Sequence, residues 1–110
     1  MNPKDDILIN ETSKVFKAIS HPTRLWIVEK LAKGELCVCE FNDALNADFS
    51  TISKHLTVLK EAGIVDFEKR GKQVFYKLKM DCILNFILCV RGTIKENIVS
   101  KLNQIEKLEV

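Results

Sequence analysis

The apolar residues of this chain change period twice, and that change limits what the chain can fold into. Leu25, Val28 and Leu31 recur at helical spacing, and Ile52, Leu56 and Leu59 fall at i, i+4 and i+7, which gives each segment one face to bury. From Ile64 to Glu68, and again through Val74-Phe75-Tyr76-Lys77-Leu78, the pattern alternates as in strands. Between them Lys69-Arg70-Gly71-Lys72-Gln73 reads as a hairpin turn. Ile83, Ile87, Val90, Ile94, Ile98, Leu102, Ile105 and Leu108 then return to steps of three or four. The expected fold is mainly α with one β-hairpin.

Helix boundaries are marked by residues with special backbone chemistry. Ile7, Leu8, Val15, Phe16 and Ile19 suggest a first helix ending near Ser20-His21-Pro22. Pro22 suits the opening turn of the second helix, where its missing N–H costs nothing, and Gly34 ends that helix. A third helix is expected over Cys37–Leu45, with Asn46 as a left-handed stop. The fourth begins near Ser50, a good N-cap, and ends at Gly63. Gly92 is expected to kink or divide the terminal helix, at about 1 kcal/mol relative to Ala. The order α-α-α-α-β-β-α is that of a winged helix-turn-helix.

A chain of 110 residues, 46% hydrophobic and 29% charged, has room for one compact globular domain over residues 1–110. No apolar run approaches the roughly 18 residues that span a bilayer. The N-terminal Met-Asn-Pro-Lys-Asp-Asp carries acids where a signal peptide carries a basic and then apolar stretch. A cytoplasmic protein is expected, in which the four cysteines serve as thiols rather than disulfides.

The net charge of +2 hides an asymmetry. Residues 48–79 hold seven Lys/Arg against four Asp/Glu, whereas residues 1–47 sum to −1 and residues 80–110 to zero. A positive surplus confined to the fourth helix and the hairpin is the footprint of a polyanion-binding face. In a helix-turn-helix the second helix enters the major groove with its N-terminal residues toward base edges. Here those residues are Ser50, Thr51, Ser53, Lys54 and His55, followed by Thr57 and Lys60. They lie opposite the Ile52/Leu56/Leu59 face. Small hydroxyl side chains permit close approach to phosphate and base edges. Arg70 and Lys72 would form a wing along the backbone or the minor groove. For each residue taken alone, a solvated surface position is an equal alternative. His55 has only His21 as a histidine partner and no Ser-His-acid order around it, so no catalytic role and no enzyme is expected.

Three stretches resemble the ArsR/SmtB family of metal-responsive winged-helix repressors. They are Ile19-Ser-His-Pro-Thr-Arg-Leu25, Glu35-Leu-Cys-Val-Cys-Glu40 and Ser50 through Val65. The first and third look like the opening of that family's second helix and its recognition helix. The Cys-Val-Cys stretch looks like its thiolate sensing box. The resemblance implies a homodimer that represses transcription and leaves double-stranded operator DNA when arsenite or antimonite binds. Related members answer to cadmium or lead.

Thiolates are soft ligands suited to soft metals and metalloids. Cys37 and Cys39 are two apart on the expected third helix, so in regular helical geometry they point about 200° apart. They would then share one ion only if the first turn of the third helix unwound, a distortion that would also disturb the helix it supports. Some family members place a third cysteine three residues after the second, where this chain has Asn42. Cys89 is the preferred third ligand and Cys82 the alternative, although either could be a small core residue. With no histidine after His55, the family's terminal-helix zinc site is not expected. The terminal apolar stripe, with Ile7, Leu8, Val15 and Phe16, is better read as a dimer seam than as an internal core. Two other functions remain open at this point. One is a thiol redox or persulfide switch on the same DNA-binding fold. The other is a dimeric interaction module or thiol metal carrier without an operator.

Overall fold

The computed structural model describes residues 2–109. It orders them as α1 (Pro3–Ile19), α2 (Pro22–Leu31), β1 (Leu36–Cys37), α3 (Val38–Leu45), α4 (Phe49–Glu61), β2 (Val65–Arg70), β3 (Gln73–Leu78) and α5 (Cys82–Glu109). This is the winged helix-turn-helix order read from the periodicity, with one added element. Strand β1 carries no alternating signal because it is two residues long. It pairs antiparallel with β3, so the sheet runs β1-β3-β2.

Local chemistry sets most boundaries. The His21 ring caps α2, its Nδ1 accepting the Thr23 N–H at 3.1 Å, with Pro22 in the first turn. Asn46 ends α3 at φ 49°, the left-handed stop expected of it. The cap of α4 differs from expectation: Asp48, not Ser50, precedes the helix, and its Oδ1 accepts the Thr51 N–H at 2.8 Å. Ser50 lies inside the first turn and donates its hydroxyl to Asp48 Oδ1. A carboxylate facing the orphan N–H groups of a helix start gains from the helix dipole as well as the hydrogen bond.

The hairpin is tighter than expected. Lys69 and Arg70 pair with Val74 and Gln73 in the ladder, which leaves a two-residue loop of Gly71 and Lys72. Such loops need positive φ, and Gly71 supplies it at 63°. Helix α5 runs through Gly92 without a break.

Phe41, Ile27, Val28, Ile52, Leu56, Leu59 and Ile64 form the center of the core and are fully buried. The Ile52/Leu56/Leu59 face thus anchors α4 and leaves its opposite side outward. Of the terminal stripe, Ile83 and Ile87 enter this core. Val90, Ile94, Ile98, Leu102, Ile105 and Leu108 remain exposed, as do Ile7, Leu8 and Phe16 on α1. Arg91 and Glu29 form an ion pair that fastens α5 to α2. Among the described residues, no helix is long and apolar enough to cross a membrane.

Candidate nucleic-acid interface and thiol site

Ser50, Thr51, Lys54, Thr57 and Lys60 are exposed along α4, and Ser53 is half-buried. Not all are equally free. Thr57 donates its hydroxyl to the Ser53 carbonyl at 2.8 Å. The Lys60 ammonium sits 4.1 Å from the center of the Phe67 ring on β2, which joins the end of α4 to the wing. Hydrogen bonds from Thr51 hold the Asp48 carboxyl below its usual range, so the helix start keeps a carboxylate on its cap.

His55 departs from the position expected of it. Its ring is half-buried against α2, 4.6 Å from the His21 ring. The Arg24 Nη1 lies 3.5 Å from its Nδ1, while Arg24 Nε donates to the Ala18 carbonyl at 2.6 Å. Burial, followed by the charges of His21 and Arg24, lowers the His55 pKa. The side chain therefore ties α4 to the start of α2, where Arg24 in turn reaches α1, instead of joining the outward row. Sequence spacing had set His21 and His55 apart; the packing of α2 on α4 brings them together.

On the wing, Lys72 stands exposed at the tip. Arg70 is engaged within the chain. Its Nη1 and Nη2 donate to the two carboxylate oxygens of Glu35 at 2.6 and 3.1 Å, and Nη2 also donates to Glu68 at 2.9 Å. Its guanidinium covers the Phe75 ring at 4.7 Å. These contacts raise the Arg70 pKa and lower that of Glu35. Nothing in the sequence marks Glu35 as the partner of a residue thirty-five positions away.

The two sensing-box cysteines meet without any unwinding. Cys37 lies before α3 in extended conformation, φ −76° and ψ 150°, so the helical angle between positions two apart does not apply. Cys39 directs its thiol at the Cys37 sulfur, and the two Sγ atoms are 3.2 Å apart. Cys37 is buried and Cys39 exposed, so one sulfur is sheltered and the other is open to solvent. Glu40 Oε2 accepts the Cys37 N–H at 2.7 Å and fixes this junction. The adjacent Cys37 sulfur, then burial and the charges of Cys37 and Glu40, push the Cys39 thiol pKa up. Glu40 follows Cys37 by three, the spacing of a capping box; that signal was readable but Cys is an unusual cap.

Cys82 and Cys89 are exposed on α5. Among the described residues no three His, Cys, Asp or Glu side chains converge as a metal site. Neither Cys89 nor Cys82 therefore joins the pair within one chain, and neither is a buried core cysteine. Cys82 borders a groove between α1 and α5 lined by Val15, Phe16, Met80 and Phe86.

A buried-faced α4 with a polar outer row, preceded by α3 and flanked by a basic hairpin, defines a winged helix-turn-helix DNA-binding regulator rather than an enzyme. The profile of bacterial regulatory proteins of the arsR family matches residues 21–66. An HTH-type transcriptional regulator of Methanocaldococcus jannaschii is 42% identical over 81 residues, covering 73% of this chain and 91% of the relative. A cadmium resistance transcriptional regulatory protein CadC homolog of Staphylococcus aureus is 44% identical over 69 residues, 62% of this chain and 57% of its own length. The homodimeric winged helix-turn-helix DNA-binding domain Mb0332 of Mycobacterium bovis superposes with a TM-score of 0.79 at 24% identity, covering 89% of this chain and 91% of that one, and so shares the fold. The chain belongs to the ArsR family of transcriptional regulators.

Proposed function

We propose that this protein is a cytoplasmic, homodimeric repressor that leaves its operator when trivalent arsenic or antimony binds the Cys37 and Cys39 thiolates. The observation that carries the reading is the 3.2 Å separation of the two sulfurs at the start of α3. The pair can grip one soft ion without unwinding α3, and the choice of arsenite or antimonite over cadmium or zinc rests on the likeness of Cys37-Val-Cys39 to the family's thiolate sensing box. Lead is the second reading.

In this reading Ser50, Thr51, Ser53, Lys54, Thr57 and Lys60 face the major groove, and Lys72 reaches the backbone from the wing. His55 supports α4 from behind. The apolar residues left exposed on α1 and α5 become the dimer seam, because a patch of that extent is uncommon on a monomer. Residues 1–110 act as one unit, and a second copy of the chain is the remaining source of a third thiolate, Cys89 or Cys82. Helix α3 packs on α4, so a ligand that clamps the start of α3 biases the helix that reads DNA. Reciprocity then requires bound DNA to weaken the ligand.

The test is release of the reduced protein from its own upstream DNA, titrated with arsenite, antimonite, cadmium, lead and zinc. Arsenite and antimonite should release it at the lowest concentrations, and a Cys37→Ser/Cys39→Ser double variant should bind DNA but ignore both. Release by peroxide alone would replace this reading with a redox switch. Absence of any preference over random DNA would end the repressor reading.

A further inference from the structure

The wing arginine is held by a residue that stands two positions before the buried Cys37. Arg70 ends β2, yet its two-pronged hydrogen bond goes to Glu35, two residues before Cys37. Strand β1 fixes this relation: Leu36 pairs with Tyr76 and Cys37 with Phe75, and Phe75 is the ring beneath the Arg70 guanidinium. A carboxylate and a phosphate both offer a guanidinium two oxygens at matching spacing. The Nη1/Nη2 face that Glu35 occupies cannot fork to a phosphate at the same time.

We propose that Glu35 is an autoinhibitory partner of the wing, competing with an operator phosphate for Arg70, and that the Cys37 strand lets the thiol site set the outcome. The inference rests on the DNA-binding, inducer-released reading above. Arg70 and Glu35 are each 43% exposed, so a phosphate can reach the guanidinium. An exposed pair of this kind is weak enough to exchange. A ligand that joins Cys37 to Cys39 clamps the end of β1 onto α3 and keeps Glu35 against Arg70. In this proposal an operator phosphate takes the Nη1/Nη2 face of Arg70 only when Arg70 leaves Glu35. Glu68, the second carboxylate on Arg70, lies on β2 opposite Phe75. It travels with the wing and is separated from Cys37 by β3, whereas Glu35 is two residues along the chain from Cys37, which makes Glu68 the comparison for loss of one carboxylate on Arg70.

The experiment measures affinity for upstream DNA, with and without arsenite, for the reduced full chain and its Glu35→Gln, Glu68→Gln, Arg70→Gln and Glu35→Gln/Arg70→Gln variants. Glu35→Gln should tighten binding roughly twofold to fivefold, the range of an exposed ion pair, and should do nothing once Arg70 is Gln. The factor by which arsenite weakens binding should shrink in Glu35→Gln and stay unchanged in Glu68→Gln. Tightening that persists without Arg70 would reduce the effect to simple removal of a negative charge and overturn the competition. An unchanged arsenite factor in Glu35→Gln would overturn the link to the thiols. A wild type that arsenite does not release would strike the inducer reading alone, and the arsenite-free cycle would still decide the competition.

Discussion

The His55 ring of α4 lies 4.6 Å from the His21 ring that caps α2. Burial at this junction, followed by the neighboring His21 and Arg24, disfavors a proton on His55. A histidine whose folded pKa lies below its unfolded value near 6.5 binds fewer protons folded than unfolded. Its contribution is complete above the unfolded pKa and is lost as pH falls below it toward the folded value. The urea midpoint should therefore drop on acidification below about pH 6.5, and drop less in His55→Gln. Equal acid sensitivity in both proteins would show that the junction is not responsible.

The cap of α4 makes a prediction opposite to the one its sequence suggests. Asp48→Ala removes the acceptor of the Thr51 N–H and should cost about 1 kcal/mol in denaturant unfolding. Ser50→Ala, inside the helix, should change stability by less than about half of that. A larger loss at Ser50 than at Asp48 would contradict the observed cap.

The inducer's chemistry is legible in its pH dependence. Arsenite enters as the neutral trihydroxide, and two thiols displacing two hydroxides release water but no net proton. Cadmium must displace two protons, so its affinity should rise by up to roughly hundredfold per pH unit while the thiols are protonated. The raised Cys39 pKa extends that regime upward. Direct titration at several pH values should give a nearly flat arsenite affinity and a steep cadmium one. A flat cadmium profile would mean that the pair is not its ligand.

Lys54 and Lys72 are exposed, and among the described residues neither forms a salt bridge. If each meets a phosphate, Lys54→Ala and Lys72→Ala should each lower the slope of log K against log salt by about 0.9. Binding to operator and to random DNA should weaken alike. A variant that loses only operator affinity, with an unchanged slope, would reassign that lysine to base reading.

Dimerization through α5 should fail when charge is placed in its exposed apolar row. Ile98→Glu with Leu102→Glu alters two side chains that touch no buried core residue cluster of the single chain. Sedimentation should show a monomer with unchanged helical content. A dimer that survives both changes would place the seam elsewhere.

The element order was readable because helices and strands impose their periods on apolar residues whatever surrounds them. Asn46 and Gly71 were readable for the same local reason: few residues tolerate positive φ. Strand β1 was not, since two residues define no period and its partner is β3, nearly forty positions on. Its absence from the sequence reading had a direct consequence for the cysteines. Placed on a helix, Cys37 and Cys39 diverge; placed across a strand–helix boundary, their sulfurs touch.

The sequence by itself determined the helix-turn-helix and wing, the buried face of α4 and the presence of two thiols two positions apart. Each of these depends on residue type and near-neighbor spacing. Only the tertiary structure decided that Arg70 is held by Glu35, that His55 faces His21, and that the α5 cysteines stay apart from the sensing pair. Those relations join side chains remote in sequence. Their geometry comes from how elements pack, which local chemistry constrains but does not specify.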